Sequence, residues 1–205
     1  MMASSREFCF VLRQRKTDGA VHYAAVEQQL RDSGFAVRRA EGQKLLALHA
    51  CQLRDQGSMT AAEVAAELTR LRSRVHVYAG LDTLENLARS GRISKAAANI
   101  GTLAQLKPLV RLTPETAGGV DVCGKAVGRH RAIGAVARMI SRYRIDERFP
   151  VIPLYTHSID NCVALINKLR AGGVAVSEQM ASALGPTLAT HIGAGAYGAA
   201  FVEAE

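Results

Sequence analysis

From residue 43 to residue 202, short apolar runs take turns with segments whose apolar residues recur at helical spacing. Strands that alternate with helices bury both by layering, so the expected fold is α/β, with layered helices on a mixed sheet. Leu45, Leu46, Leu48 and Leu53 form an apolar stripe on a helix stopped at Gly57. Thr60 with Glu63 reads as a capping box that starts a second helix through Val64, Leu68 and Leu71. Residues 75–79 read as a strand, and 107–112 with 120–123 as a hairpin turned at Pro114 and Gly118–Gly119. A long helix is expected over 127–143, carrying Ile133, Val136, Ala137 and Ile140 inward. Pro153 inside the strand 151–155 favours an edge or irregular position, since proline cannot donate to a ladder. Ser158 or Asp160 opens a helix with Val163, Ile166 and Leu169 inward, closed by Gly172–Gly173. A strand starts at 174–176, a short helix at 186–192 has Pro186 in its first turn, and 199–202 is a final strand. Upstream, 24–31 reads as a helix ending at Gly34 and 35–37 as a short strand.

At 205 residues the chain is long enough to bury a real core. It has no Trp and only 5% aromatic residues, little material for a surface that stacks single-stranded nucleic acid. Eighteen acidic against 26 basic residues leave a net charge of +8, but the positive residues are spread out. Arg131, Arg138 and Arg142 would share one helix face, which reads either as a solvated face or as a partner surface. No nucleic-acid partner is expected. Long uncharged runs such as 184–202 are broken by Gly and Pro and contain polar residues, so no membrane span is expected. The apolar patch 8–12 is too short for a secretory segment. Cys9, Cys51, Cys123 and Cys162 are scattered, with no CxxC and no His at metal spacing. Free thiols in a reducing cytoplasm are expected, with no disulfide framework and no metal site.

Two stretches carry the most information. Residues 81–108, LDTLENLARSGRISKAAANIGTLAQLKP, follow the strand 75–79 with two short helical segments separated by a turn at Ser90, Gly91 and Arg92. Asp82 and Ser94 each stand where a helix begins and can accept from unpaired backbone N–H groups. Arg92 could hold a carboxylate or phosphate bidentately, or brace a helix end. Glu85 and Arg89, at i,i+4, read as a surface pair. In the tail, Gly193, Gly195 and Gly198 match GxGxxG, but only seven residues follow and they read as a strand, so the dinucleotide context is missing. Those glycines instead suit a close approach of backbone to another element or a ligand. His191, just before them, is either a satisfied core histidine or a partner for an acidic head group. His22, His49, His76, His130 and His157 have no partners at motif spacing and read as structural or exposed. No nucleophile elbow, zincin, phosphate-binding loop or kinase motif is present.

Taken with the tail GPTLATHIGAGAYGAAFV, the 81–108 stretch resembles the C-terminal half of a DegV-family protein. The resemblance runs from about residue 37 to residue 205. Its most specific pieces are residues 81–85, 91–95, Lys107–Pro108, Gly185–Pro186 and 190–195. It implies a C-terminal lipid-binding domain over 75–205, preceded by a reduced N-terminal α/β segment over 1–74. It further implies a non-catalytic protein that binds one long-chain fatty acid of the C14–C18 class, with no other cofactor. The tail would be buried and the carboxylate would lie at the domain boundary. By resemblance His191 meets the carboxylate, Arg92 and Thr190 join the polar network, and Gly193 and Gly195 shape the binding loop. Arg129 and Arg131 would face a separate fatty acid kinase, which phosphorylates the bound acid in lipid-presenting members.

Elementary energetics agree with such a carrier. A buried carboxylate needs donors or a positive charge. A C16-class tail, at about 0.8 kcal/mol per CH₂, brings roughly 10 kcal/mol of gross driving force. The family's first-strand Asp-Ser, its Thr-Ser-Gln-Pro-like loop and its Ser-rich turn are not found in residues 1–40. Ser90 and Ala194 also stand where the family usually has Gly and often has Pro. The expectation is therefore a shortened chain with a replaced start. The alternative reading is a truncated homologue that does not bind lipid and acts through protein contacts. An open tunnel mouth would favour self-association, so a homodimer is allowed.

Overall fold

The computed structural model describes residues 41–93, 105–116 and 119–205. Helices α1 (Glu41–Gln56) and α2 (Ala61–Arg72) come first. Gly57 ends α1 at φ +67, a conformation that residues with a Cβ rarely adopt. The Thr60 hydroxyl accepts from the Glu63 N–H at 3.3 Å, and the Glu63 carboxylate accepts from the Thr60 N–H at 2.7 Å. This is the reciprocal box expected there, worth about 1 kcal/mol. Then follow β1 (Val75–Gly80), α3 (Glu85–Arg89), β2 (Leu106–Leu112), β3 (Asp121–Val127) and α4 (Arg129–Ile140). The chain closes with β4 (Ile152–Tyr155), α5 (Asp160–Ala171), β5 (Ser182–Ala183), α6 (Pro186–Ile192) and β6 (Tyr197–Val202).

The six strands form one sheet in the order β3-β2-β1-β6-β4-β5. β4 and β5 are parallel and every other pair is antiparallel, so the sheet is mixed, as expected. Strand alternation sends His76, Tyr78, Leu109, Ala199 and Phe201 to one face, where they pack under α4 and α5 with Ile133, Val136, Ile140, Leu165 and Leu169. The opposite face carries Ile152, Leu154, Ala200 and Val202 beneath α1 and α2. Toward the other end of that face, Leu81, Leu84, Leu87 and Val110 gather with Ala196 and Ile192 around α3 and α6. Among the described residues, the two faces of β1 are covered unequally. Along β1, His76, Tyr78 and Gly80 are fully buried, whereas Val75, Val77 and Ala79 are only half-buried between the α1–α2 cluster and the α3–α6 cluster.

Several local expectations change. The helix expected over 127–143 is α4, bounded by Gly128 at φ +77 and by the cap at Ser141. In α5 the buried residues are Cys162, Leu165, Ile166 and Leu169, and Val163 stays half-buried. Residues 174–176 make a single bridge, Val176 to Val151, and the paired strand comes later at Ser182–Ala183. β4 is second from the edge, and its outer neighbour is only two residues long and pairs beyond Pro153. Arg89 Nη2 donates to the Asn86 side-chain oxygen Oδ1 at 3.4 Å, and no Glu85–Arg89 ion pair forms among the described residues. Cys51, Cys123 and Cys162 are free thiols, with burial pushing Cys162 up to about 12. The elements expected at 24–31 and 35–37, the helix opening at Ser94 and the turn residue Gly118 lie outside the described residues.

Opposite the α3–α6 end, Asp146 ties the segment after α4 to Arg74, just before β1. Its carboxylate accepts from Arg74 Nη2 and Arg148 Nη2, each at 2.6 Å, and from Arg148 Nε at 2.9 Å. The Arg148 guanidinium, followed by Arg74, holds the Asp146 carboxyl far below the usual carboxylate range. A carboxylate whose pKa is lower in the folded state stabilises the fold above its unfolded pKa of about 4, and that contribution is lost as pH falls toward the folded value. Asp146→Asn is therefore expected to cost about 1–3 kcal/mol at pH 7. In urea titrations the gap from the parent should shrink steadily below about pH 4. A gap independent of pH would show that the charge contributes nothing.

Candidate functional site

Two glycine-dependent contacts bring the tail loop onto the segment that follows β1. Gly193 ends α6 at φ +81 and ψ 175, and Gly195 follows at φ +77. A Cβ at Gly193 would lie 2.7 Å from the Asn86 amide nitrogen, and one at Gly195 would overlap the Asp82 carboxylate. The glycines thus permit a close approach to another element. Gly80, at the end of β1, leaves room in the same way for the Tyr197 ring. The two information-rich stretches of the sequence therefore meet in space.

Asp82 is the charged centre of this junction. It does not cap α3: the residue before that helix is Leu84, and the Glu85 N–H donates to the Thr83 hydroxyl at 3.2 Å. The Asp82 carboxylate instead takes Lys107 Nζ of β2 at 3.0 Å and Arg129 Nη2, from the start of α4, at 3.0 and 3.1 Å. Two cations at hydrogen-bond distance outweigh one weak cap bond. Beside them the Tyr197 hydroxyl is buried and has no hydrogen-bond partner among the described residues. Burial first, and then the Asp82 carboxylate, push its phenol well above the ordinary tyrosine range. From the other side Thr156 and Asn161 hold the loop: the Thr156 hydroxyl donates to the Gly193 carbonyl at 2.8 Å, and the Asn161 amide donates to the Gly195 carbonyl at 3.3 Å.

His191 occupies the last turn of α6, half-buried, next to Ile192, which packs on the Leu81–Leu84–Leu87 cluster. Thr190 is exposed, and its hydroxyl donates back to the carbonyls of Pro186 at 2.6 Å and Thr187 at 3.0 Å. Arg92 is exposed beyond α3 and donates to the Ser90 carbonyl at 2.7 Å, bracing its own turn. Arg129 belongs to the Asp82 cluster. Arg131 points elsewhere, lining a groove of about 410 Å³ with Lys125, His130, Arg138 and Lys168. So His191, Gly193 and Gly195 lie on one helix-and-loop unit, Arg129 joins it through Asp82, and Arg131 stands apart. Asp82, Asn86, Lys107, Thr156 and Asn161 were not anticipated as site residues. The first three sit in or beside motif pieces already singled out, whereas nothing local marks the last two. Among the described residues, no group of three or more His, Cys, Asp or Glu is placed to hold a metal ion.

A DegV domain-containing protein of Lactococcus lactis is 34% identical over 159 residues, 76% of this chain and 53% of its own length. A Mycobacterium tuberculosis DegV domain-containing protein is 36% identical over 149 residues, 68% of this chain and 48% of its own length. The chain thus spans about half the length of the curated relatives it matches. Among solved structures, a DegV-family protein from Thermus thermophilus, described as binding fatty acid, superposes with a TM-score of 0.69 at 28% identity, covering 98% of this chain and 76% of that one. A fatty acid kinase B3 protein of Streptococcus pneumoniae, loaded with linoleic acid, shares the fold with a TM-score of 0.68 at 16% identity, over 88% of this chain and 65% of that one. The model of the family described as "uncharacterised protein, DegV family" matches residues 27–204, and the chain belongs to that family.

Proposed function

We propose that this protein binds one long-chain fatty acid of the C14–C18 class, without catalysing a reaction on it, and presents the carboxylate to a fatty acid kinase. The observation that carries this reading is the half-covered apolar strip of Val75, Val77 and Ala79, which runs between two helical clusters toward the α6 loop. An acyl chain laid there completes the burial that the helices leave unfinished, at about 0.8 kcal/mol per CH₂. His191 meets the carboxylate at the loop end, with Thr190 and Arg92 contributing to the polar rim. Gly193 and Gly195 allow the loop the conformation that lets it close on Asp82 and Asn86. Arg131, with Lys125 and Arg138 along its groove, gives the side facing the kinase its positive charge, and Arg129 borders it from the Asp82 cluster. The fatty acid described for the Thermus thermophilus relative supports the ligand class.

Delipidated protein titrated with palmitate or oleate is expected to gain about 5–10 °C in Tm at saturating ligand. His191→Ala should weaken binding by roughly ten- to a hundredfold, the scale of a hydrogen bond to a charged group. A wild-type protein with no thermal shift would instead favour a homologue that acts through protein contacts alone.

A further inference from the structure

We infer that Thr156 is a positioning residue, one that sets the conformation of the Gly193–Ala196 loop and through it the placement of His191. Thr156 follows β4 directly and is buried. Its hydroxyl donates to the Gly193 carbonyl at 2.8 Å and accepts from the Ala196 N–H at 2.9 Å. Its own N–H donates to the Ala196 carbonyl at 3.0 Å. One side chain thus spans both ends of the loop, satisfying a donor and an acceptor that would otherwise be buried unpaired.

The loop needs such a clamp. Gly193 and Gly195 both hold positive φ, and glycine by itself selects neither conformation, because it visits many others at little cost. Asn161 adds a weaker second tie at the Gly195 carbonyl. Gly193 is also the residue on which α6 ends, its N–H donating to the Ala189 carbonyl at 2.8 Å. Fixing Gly193 therefore fixes the last turn of α6, where His191 sits. The residue after Thr156 is His157, the single non-glycine residue with positive φ (65°) among those described. Backbone strain of this kind persists where surrounding contacts over-determine the chain. Thr156 is thus held from both sides: by the reversal at His157 and by the loop it clamps.

This inference rests on the proposal that His191 meets the ligand carboxylate, and its test separates the two. Thr156→Val keeps the shape and removes both hydroxyl bonds, whereas Thr156→Ser keeps them. In lipid-free full-length protein, Thr156→Val is expected to move the His191 ring resonances and the Gly193 and Gly195 amide resonances, with palmitate affinity falling about tenfold. Thr156→Ser should retain the wild-type spectrum and affinity. A Thr156→Val protein that melts earlier but keeps the wild-type His191 resonances and palmitate affinity would overturn the inference. If Thr156→Val does not fold, Thr156→Cys decides, because a thiol is a weak donor and acceptor in the same place: the same resonances should move with a smaller loss of affinity, and unchanged resonances would overturn the clamp. Shifted resonances in a protein that binds no palmitate at all would uphold the clamp and end the fatty-acid reading.

Discussion

Gly193→Ala is expected to destabilise the protein by about 2–4 kcal/mol and to abolish fatty-acid binding. The backbone there, at φ +81 and ψ 175, lies in a region that is essentially glycine-only and costs of order 1–3 kcal/mol for another residue. The added methyl would also meet the Asn86 amide at 2.7 Å, so either Asn86 or the loop must move. A moved loop carries His191 with it. Gly57→Ala is the natural comparison: its φ of +67 is also positive, but open space surrounds the missing Cβ. It should cost only about 1–2 kcal/mol and leave binding intact. Urea denaturation and palmitate titration of both variants check this. Equal effects at the two positions would mean that the contact with Asn86 does not matter.

The second large effect is expected at Phe201, on the central strand β6. Its side chain is fully buried, and its ring lies against Tyr143 at 5.2 Å, His76 at 5.5 Å and Tyr78 at 6.4 Å between centroids. Phe201→Ala should cost about 3–5 kcal/mol, the range for emptying a buried aromatic site that cannot collapse. The surrounding rings are themselves tethered, since the Tyr78 and Tyr143 hydroxyls are hydrogen-bonded at 2.7 Å, so the cavity has little freedom to close. Thermal and urea denaturation measure the loss. A cost below about 1 kcal/mol would contradict a core centred between the sheet and α4.

The parts of the fold that were legible in the sequence are those written in local chemistry. Thr60, Glu63 and Gly57 delimit the first two helices by hydrogen bonds and backbone freedom within a few residues. The inward residues of α4 follow from helical spacing, and its N-terminal limit was missed because the positive φ of Gly128 lies inside an otherwise helical pattern. The strand expected at 174–176 has the right apolar residues, but partner geometry moves the pairing downstream, and propensity cannot see that. Asp82 shows the same limit at the site. A cap and an ion pair compete for one carboxylate, and the winner depends on Lys107 and Arg129, which only the folded sheet brings near. Thr156 and Asn161 are further from legibility, because their partners are backbone atoms 34–40 residues away. The glycines of the tail, by contrast, were readable as close-approach residues from their clustering alone.

If the half-buried apolar strip of β1 beside the α6 loop holds a fatty acid, denaturing mass spectrometry of an organic extract will find it. Purified protein should release a C14–C18 fatty acid in near-stoichiometric amount, and His191→Ala, purified in parallel, should release little or none. An empty extract from the wild-type protein, with no thermal shift on adding palmitate or oleate, would mean that the strip holds no fatty acid.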